Sequence, residues 1–412
     1  MIAPFIKMHK IIVAILAFVL LAACETDFEP TVSAEDPSTI NNSKKGSTSA
    51  ARVGSDGTGG YYPNTPNITE QHVGITFTNA TYPDGVRIFN TRDVTFVNCT
   101  FSNPIEYAVL FREEQDSDDT NNVRFINCRF GTSRFDNVMI ERRKDANPDE
   151  VLHTNVQFEG CEFSSWASDD AAEGIYRRYY HAIYAKCPDV VVNNCSFVSS
   201  VAGAGHAVSL RSSARVTNNI FRWTADGEPA ISYTPKPLQN SPSLGNNTIK
   251  IWNNLMYGNH QVKPVGLILL ETQTQQPIPD NLVGSISIAF NTMVYLPGGA
   301  SDASLAHLIQ AEPSVTQAYI AVYGNLLVDA RPNRDPRSRI LETYSRFDYV
   351  GKNYITRDLD GTFRDWREGD FHLKSTSPGV GAIVGETNYI VPTDKNGQSR
   401  SQTNPWPGCF AN

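Results

Sequence analysis

The sequence predicts an all-β solenoid, on the strength of repeated segments, their spacing and the residue at their corner. Eight short segments read as copies of one another. The clearest are Val94-Thr-Phe-Val-Asn-Cys-Thr-Phe101, Val123-Arg-Phe-Ile-Asn-Cys-Arg-Phe130, Val156-Gln-Phe-Glu-Gly-Cys-Glu-Phe163 and Val190-Val-Val-Asn-Asn-Cys-Ser-Phe197. Weaker copies begin at Arg215, Ile249, Ile286 and Tyr319. Each alternates β-branched or aromatic residues, passes through Asn (Gly in one copy) and resumes with an apolar residue. That is a strand, a one-residue corner and a second strand. With Cys99, Cys128, Cys161, Cys195, Ile220, Leu255, Thr292 and Leu326 as the equivalent position, successive copies lie 25 to 37 residues apart. Such periods mean a solenoid. Short strands with no helical stretches between them make it a right-handed parallel β-helix of about ten coils, the hand following from the preference of parallel crossovers.

The stacking explains the residue choices. Coils repeat at about 4.8 Å, the spacing of paired strands, so each position becomes a ladder along the axis. Asn suits the corner because its short amide tolerates the left-handed backbone region and bonds locally. Phe and Cys after the corner point inward. Four of the seven cysteines share that position, where free Cys packs as a small hydrophobe. No disulfide is expected, since bridging needs a specific mutual geometry.

The N-terminus reads as an address. Lys7 and Lys10 precede the apolar run Ile11 to Ala23, too short to span a bilayer and of the length of a signal peptide core. The run ends in Leu21-Ala-Ala-Cys24, which resembles a bacterial lipoprotein box. The resemblance implies a signal peptide at 1–23 and lipid on Cys24. The expected location is the outer membrane, on the periplasmic or the cell-surface side, with the lipid as anchor. Residues 24–70 are polar and poor in apolar residues, a flexible tether; acidic residues just after Cys24 resemble a surface-export signal. The β-helix is expected over 71–412 as one domain, with a C-terminal cap from about 351 that resembles the closing segment of exported bacterial β-helix proteins. It is expected to be a monomer.

A formal net charge of −8, more negative once Lys7 and Lys10 are removed, disfavours nucleic acid as a partner. Any anion site must be a local basic patch. A candidate precedes the repeat segments in each coil: Tyr107-Ala-Val-Leu-Phe-Arg112, Asn137-Val-Met-Ile-Glu-Arg142, His181-Ala-Ile-Tyr-Ala-Lys186 and His206-Ala-Val-Ser-Leu-Arg211. The matching step of 25 residues should place His181 beside His206 and Lys186 beside Arg211, with Arg112 and Arg142 extending the row. Like charges about 5 Å apart repel, and a bound polyanion would neutralise them. Basic residues at a strand end are also commonly just solvated, and either His could be packing.

From about Asp136 to Phe221 the chain resembles the β-helical alginate and chondroitin lyases. There a catalytic Lys on one coil and a catalytic Arg on the next flank the scissile bond. The resemblance rests on Ala182-Ile-Tyr-Ala-Lys186, Asn194-Cys-Ser-Phe197, Val208-Ser-Leu-Arg211 and Asn218-Asn-Ile-Phe221. It implies a polysaccharide lyase acting on an anionic, uronate-containing glycan, with Lys186 as base and Arg211 as acid or leaving-group partner. It also implies Ca²⁺ on carboxylates, for which Asp136 and Glu141 are present, though not in the family's spacing. Removing the C5 proton of a uronate requires that the adjacent carboxylate be neutralised, by Ca²⁺ or by Arg. His181 or His206 is the alternative base. Arg112, Arg142 and Tyr184 would bind substrate, and Tyr179 and Tyr180 lie near the row. Two other readings stand beside this one: a non-catalytic glycan-binding or adhesion lipoprotein, and a β-helical glycoside hydrolase using Asp169-Asp170.

Overall fold

The computed structural model describes residues 65–411 except 105, 112–119, 142–152, 169–176, 225–227, 235–247, 259–266, 272–283, 298–306, 312–317, 333–346, 384–390, 402 and 404. Cys24, the signal peptide, most of the tether, Arg112, Arg142 and Asp169-Asp170 lie outside the described residues. Three parallel sheets of nine, ten and ten strands form a parallel β-helix, each coil giving one strand to each sheet except the last described coil, which adds only to the second and third. The first sheet runs from Asn67–Ile68 to Ile309–Ala311, the second from Thr76–Thr78 to Tyr349–Val350, the third from Thr81–Tyr82 to Tyr354–Thr356. Among the described residues the first strand of the solenoid is Asn67–Ile68, just ahead of the expected boundary at 71.

Alternation in the strands sorts side chains between core and surface. In the second sheet Phe77, Phe96, Phe125 and Phe158 stack ring on ring at 5.1, 5.0 and 5.1 Å. In the third, Phe130, Phe163, Phe197 and Phe221 stack at 4.5, 4.6 and 4.7 Å. Each aromatic pair adds about 0.5–1.5 kcal/mol to what burial supplies. The corners are as expected: Asn98, Asn127, Asn194, Asn218 and Asn253 have φ between 53° and 62°. Phe290 takes the same conformation (φ 54°) in a later coil, which a bulky residue rarely does. Its ring is held under the Arg400 guanidinium at 4.4 Å, and the next coil has Gly324 there, where a Cβ would meet that ring at 2.9 Å.

The ladder differs from expectation in its second half. Ser196 pairs with Ile220, so Cys195 stands in register with Asn219. The inward column therefore reads Cys99, Cys128, Cys161, Cys195, Asn219, Asn254, Asn291, Asn325 and Asn353, with Ile220, Leu255, Thr292 and Leu326 one residue later and facing out. Each thiol of the first half reaches a carbonyl of the preceding coil, as Cys128 does to Phe96 at 3.5 Å. The amides do the same with stronger bonds: Asn254 Nδ2 donates to the Val216 carbonyl at 2.9 Å.

The C-terminal segment also departs from the expected cap. It lies along the side of the solenoid. Phe363, Phe371, Leu373 and Cys409 pack on Leu255, Val294, Leu326 and Val328 of the third sheet's outer face. Ile383 and Val391 cover Ala289, Ala321 and Tyr323 of the second. Buried Arg400 fastens the segment to the corner column by donating to Asn253 Oδ1 at 3.0 Å, and braces the segment itself through the Gly408 carbonyl at 2.7 Å.

One core group carries a pH dependence. His153 is 2% exposed, its ring set edge-on to Phe111. Burial lowers its pKa from 6.5 to about 4. Because the folded value lies below the unfolded one, the unfolded chain takes up the proton first on acidification. The stability tied to neutral His153 is intact above pH 6.5 and lost progressively down to pH 4, on the order of 3 kcal/mol. Denaturant unfolding at stepped pH should show wild-type stability falling more steeply across this window than that of His153→Leu. Parallel curves would refute the assignment.

Candidate active site on the first sheet

Three short strands, Val138–Ile140, Ile183–Ala185 and Val208–Leu210, stand side by side, with Met139, Tyr184 and Ser209 in register. This register fixes the residues at both ends. Before the strands, Asp136, His181 and His206 share a column; after them, Glu141, Lys186 and Arg211 share another. The backbone confirms the second column, since the Lys186 N–H donates to Ile140 and the Arg211 N–H to Ala185. The expected row placed Arg142 beside Lys186, one residue out of step. Glu141 stands there instead, and beyond Arg211 the column continues through Thr234 to Glu271. The site is a mixed row with two carboxylates, where the sequence suggested four cations.

The pairings expected of His181 with His206 and of Lys186 with Arg211 are present. Arg211 is 9% exposed. Its Nε and one Nη donate to the Tyr184 hydroxyl at 3.2 and 3.0 Å, and the other Nη donates to the Thr234 carbonyl at 3.1 Å. Its guanidinium carbon lies 5.0 Å from the Tyr184 ring centre, and Lys186 Nζ lies 5.1 Å from the same centre. Tyr184 is thus contacted by both cations. With two donors on its oxygen, its own O–H proton is left to point elsewhere, and negative charge on that oxygen would be stabilised by a charge-assisted pair.

The histidine column is fixed just as closely. The two rings stack at 5.1 Å, and the His181 ring meets Tyr184 edge-on at the same distance. His181 Nδ1 accepts the backbone N–H of His206 at 3.0 Å, so its proton is on Nε2. His206 Nδ1 sits 3.2 Å from the Pro229 carbonyl, which can only accept, so the proton is on Nδ1 and the lone pair on Nε2. Burial holds both pKa values below the ordinary range; His206 and Arg211 push His181 lower still, whereas Glu228 and Glu271 partly restore His206. Near neutrality the column offers a neutral donor beside a neutral acceptor.

Asp136 and Glu141, the carboxylates expected to hold Ca²⁺, flank the strand Val138–Ile140 from its two ends. Asp136 is 2% exposed, and its carboxylate takes the His181 N–H. Burial also raises its pKa, against the pull of that bond and of Lys186. Glu141 stands at the other end of the strand. Among the described residues no group of three or more His, Cys, Asp or Glu is placed to hold a metal. Tyr179 ends a short turn, and its hydroxyl accepts from Arg178 at 2.7 Å, while Tyr180 packs on Phe135. Glu271 escaped the sequence reading, although it follows the apolar run Leu267 to Leu270 as Lys186 follows Ala185.

Residues 84–277 match the family model of the right handed beta helix region. The fold is a right-handed parallel β-helix. Comparison with curated proteins found no match. Among solved structures, QnrB1, a plasmid-mediated fluoroquinolone resistance protein, aligns over 49% of this chain and 92% of its own at 10% identity. The TM-score is 0.14, too low to bear on function. In the β-helix the matched region contains both columns of the site.

Proposed function

We propose that this β-helix is a polysaccharide lyase acting on an anionic, uronate-containing glycan at the Lys186, Tyr184 and Arg211 cluster. The observation that supports it best is the placing of two cations from successive coils on one tyrosine. In β-elimination a base removes the C5 proton, the electron pair forms the C4–C5 double bond, and the C4–O bond breaks as its oxygen takes a proton. Tyr184 is suited to give that proton, since Arg211 would stabilise the phenolate left behind. Lys186 would take the C5 proton. A second base is favoured by the lone pair that the Pro229 bond leaves on His206 Nε2.

The test is the ultraviolet absorbance of unsaturated products on a panel of polyuronates and glycosaminoglycans, with and without Ca²⁺. Lys186→Ala should lose about 10²–10⁴-fold in turnover, the range for a positioned base. If His206→Gln abolishes turnover while Lys186→Ala does not, His206 is the base. Tight binding with no unsaturated product on the whole panel would refute the lyase and favour a glycan-binding β-helix.

A further inference from the structure

The outer face of the second sheet carries a cleaner cationic row than the first. Register pairs Thr95, Arg124, Gln157, Val191, Arg215, Lys250 and Ser287 in one outward column over successive coils. Three of these are cations and none is an acid. Arg124 and Arg215 are exposed, Lys250 is half-buried, and none of the three makes an ion pair among the described residues. Arg215 and Lys250 are direct neighbours, so their backbones are about 4.8 Å apart.

Lys250 is held in place. Lys250 Nζ rests 4.8 Å from the Trp252 ring centre. That ring is pinned by its Nε1–H to Ser287 Oγ at 2.8 Å, which in turn meets the Tyr323 hydroxyl at 3.1 Å. The acids of the flanking columns among the described residues accept from neutral groups: Asp93 from Asn122 at 2.6 Å, Glu159 from Asn193 at 2.7 Å, Asp189 from Ser213 at 3.1 Å. A surface that presents two neighbouring cations, neither in an ion pair among the described residues, on a chain of net charge −8, is complementary to a polymer with closely spaced negative charges.

We infer that this face is a second binding surface for an anionic polysaccharide, lying across the coils along Arg124, Arg215 and Lys250 and separate from the Tyr184 site. The strand repeat is about the advance of one sugar along a chain, so neighbouring carboxylates or sulfates can meet Arg215 and Lys250, and one further along can reach Arg124, three coils away. The role is to hold a long polymer on the protein. It does not require the other site to be catalytic.

The experiment is affinity electrophoresis of the full chain at low salt, through gels containing a polyuronate or a sulfated polysaccharide, in a Lys186→Ala, His206→Gln background so that neither candidate base is present. Arg215→Glu with Lys250→Glu should weaken retention about tenfold or more, and added salt should abolish the difference. Arg215 is exposed and Lys250 gives up only its contact with Trp252, so the thermal melt should move by no more than that contact is worth. Retention unchanged by the charge reversals overturns the inference. So does a result in which the reversals release the protein from vesicles of anionic lipid but not from polysaccharide. Binding is the readout, so a missing unsaturated product would count against the lyase and leave this surface standing.

Discussion

Replacing Asn254 by leucine is expected to be the most destabilising single change in the described core, at about 3–6 kcal/mol. The side chain is fully buried and all its bonding capacity is used. Its Oδ1 accepts the backbone N–H and the Nδ2–H of Asn219, both at 3.0 Å; its Nδ2 donates to the Val216 carbonyl and to Asn291 Oδ1, both at 2.9 Å. Leucine fills similar space but leaves two donors of Asn219 and one carbonyl without these partners, in a place water does not reach. Each such group costs about 1–3 kcal/mol. The same column supplies the control. Cys161→Ala loses only a weak thiol bond to the Phe125 carbonyl at 3.4 Å and a little volume. Thermal unfolding by circular dichroism should therefore place Asn254→Leu well below Cys161→Ala. Equal melting points would mean the amide column is not what holds the later coils in register.

That column also shows why the sequence revealed the fold and misplaced part of it. The stacked Phe and the corner Asn are local signals, and they gave the coil boundaries correctly. From the fifth copy onward the reading equated Ile220, Leu255 and Leu326 with the inward cysteines because they are apolar. In fact a polar residue goes in and an apolar one goes out. Asn can be inward because the ladder satisfies it across coils. Leu255 and Leu326 can be outward because Phe363, Phe371 and Cys409 cover them. Both reversals depend on contacts across long sequence separations, which no local pattern carries.

The candidate site was legible to the same depth. A step of 25 residues between two well-matched copies placed His181 with His206 and Lys186 with Arg211, as found. The coil before them was shifted by one residue. Its strand Val138–Ile140 is buried at all three positions, so it lacks the alternation that fixes register. Glu141 could not be told from Arg142 as the neighbour of Lys186. Nor does composition foretell that Arg211 is committed to a tyrosine of the preceding coil.

That commitment leads to the second large effect. Arg211→Lys is expected to lower turnover by about 10²–10³-fold, the usual cost of one preorganised donor to a developing oxyanion, with a smaller change in KM. Lysine keeps the charge but cannot place two N–H groups on the Tyr184 oxygen and a third on Thr234, as the guanidinium does. Tyr184→Phe removes the acceptor of the same pair and should cost a similar factor. If the two act as one proton-donating unit, the double variant should be scarcely worse than either single one. A lysine variant retaining more than about a tenth of turnover would show that charge alone suffices at this position. Strictly additive losses would separate the residues, leaving Tyr184 to pack against the sugar and Arg211 to neutralise its carboxylate.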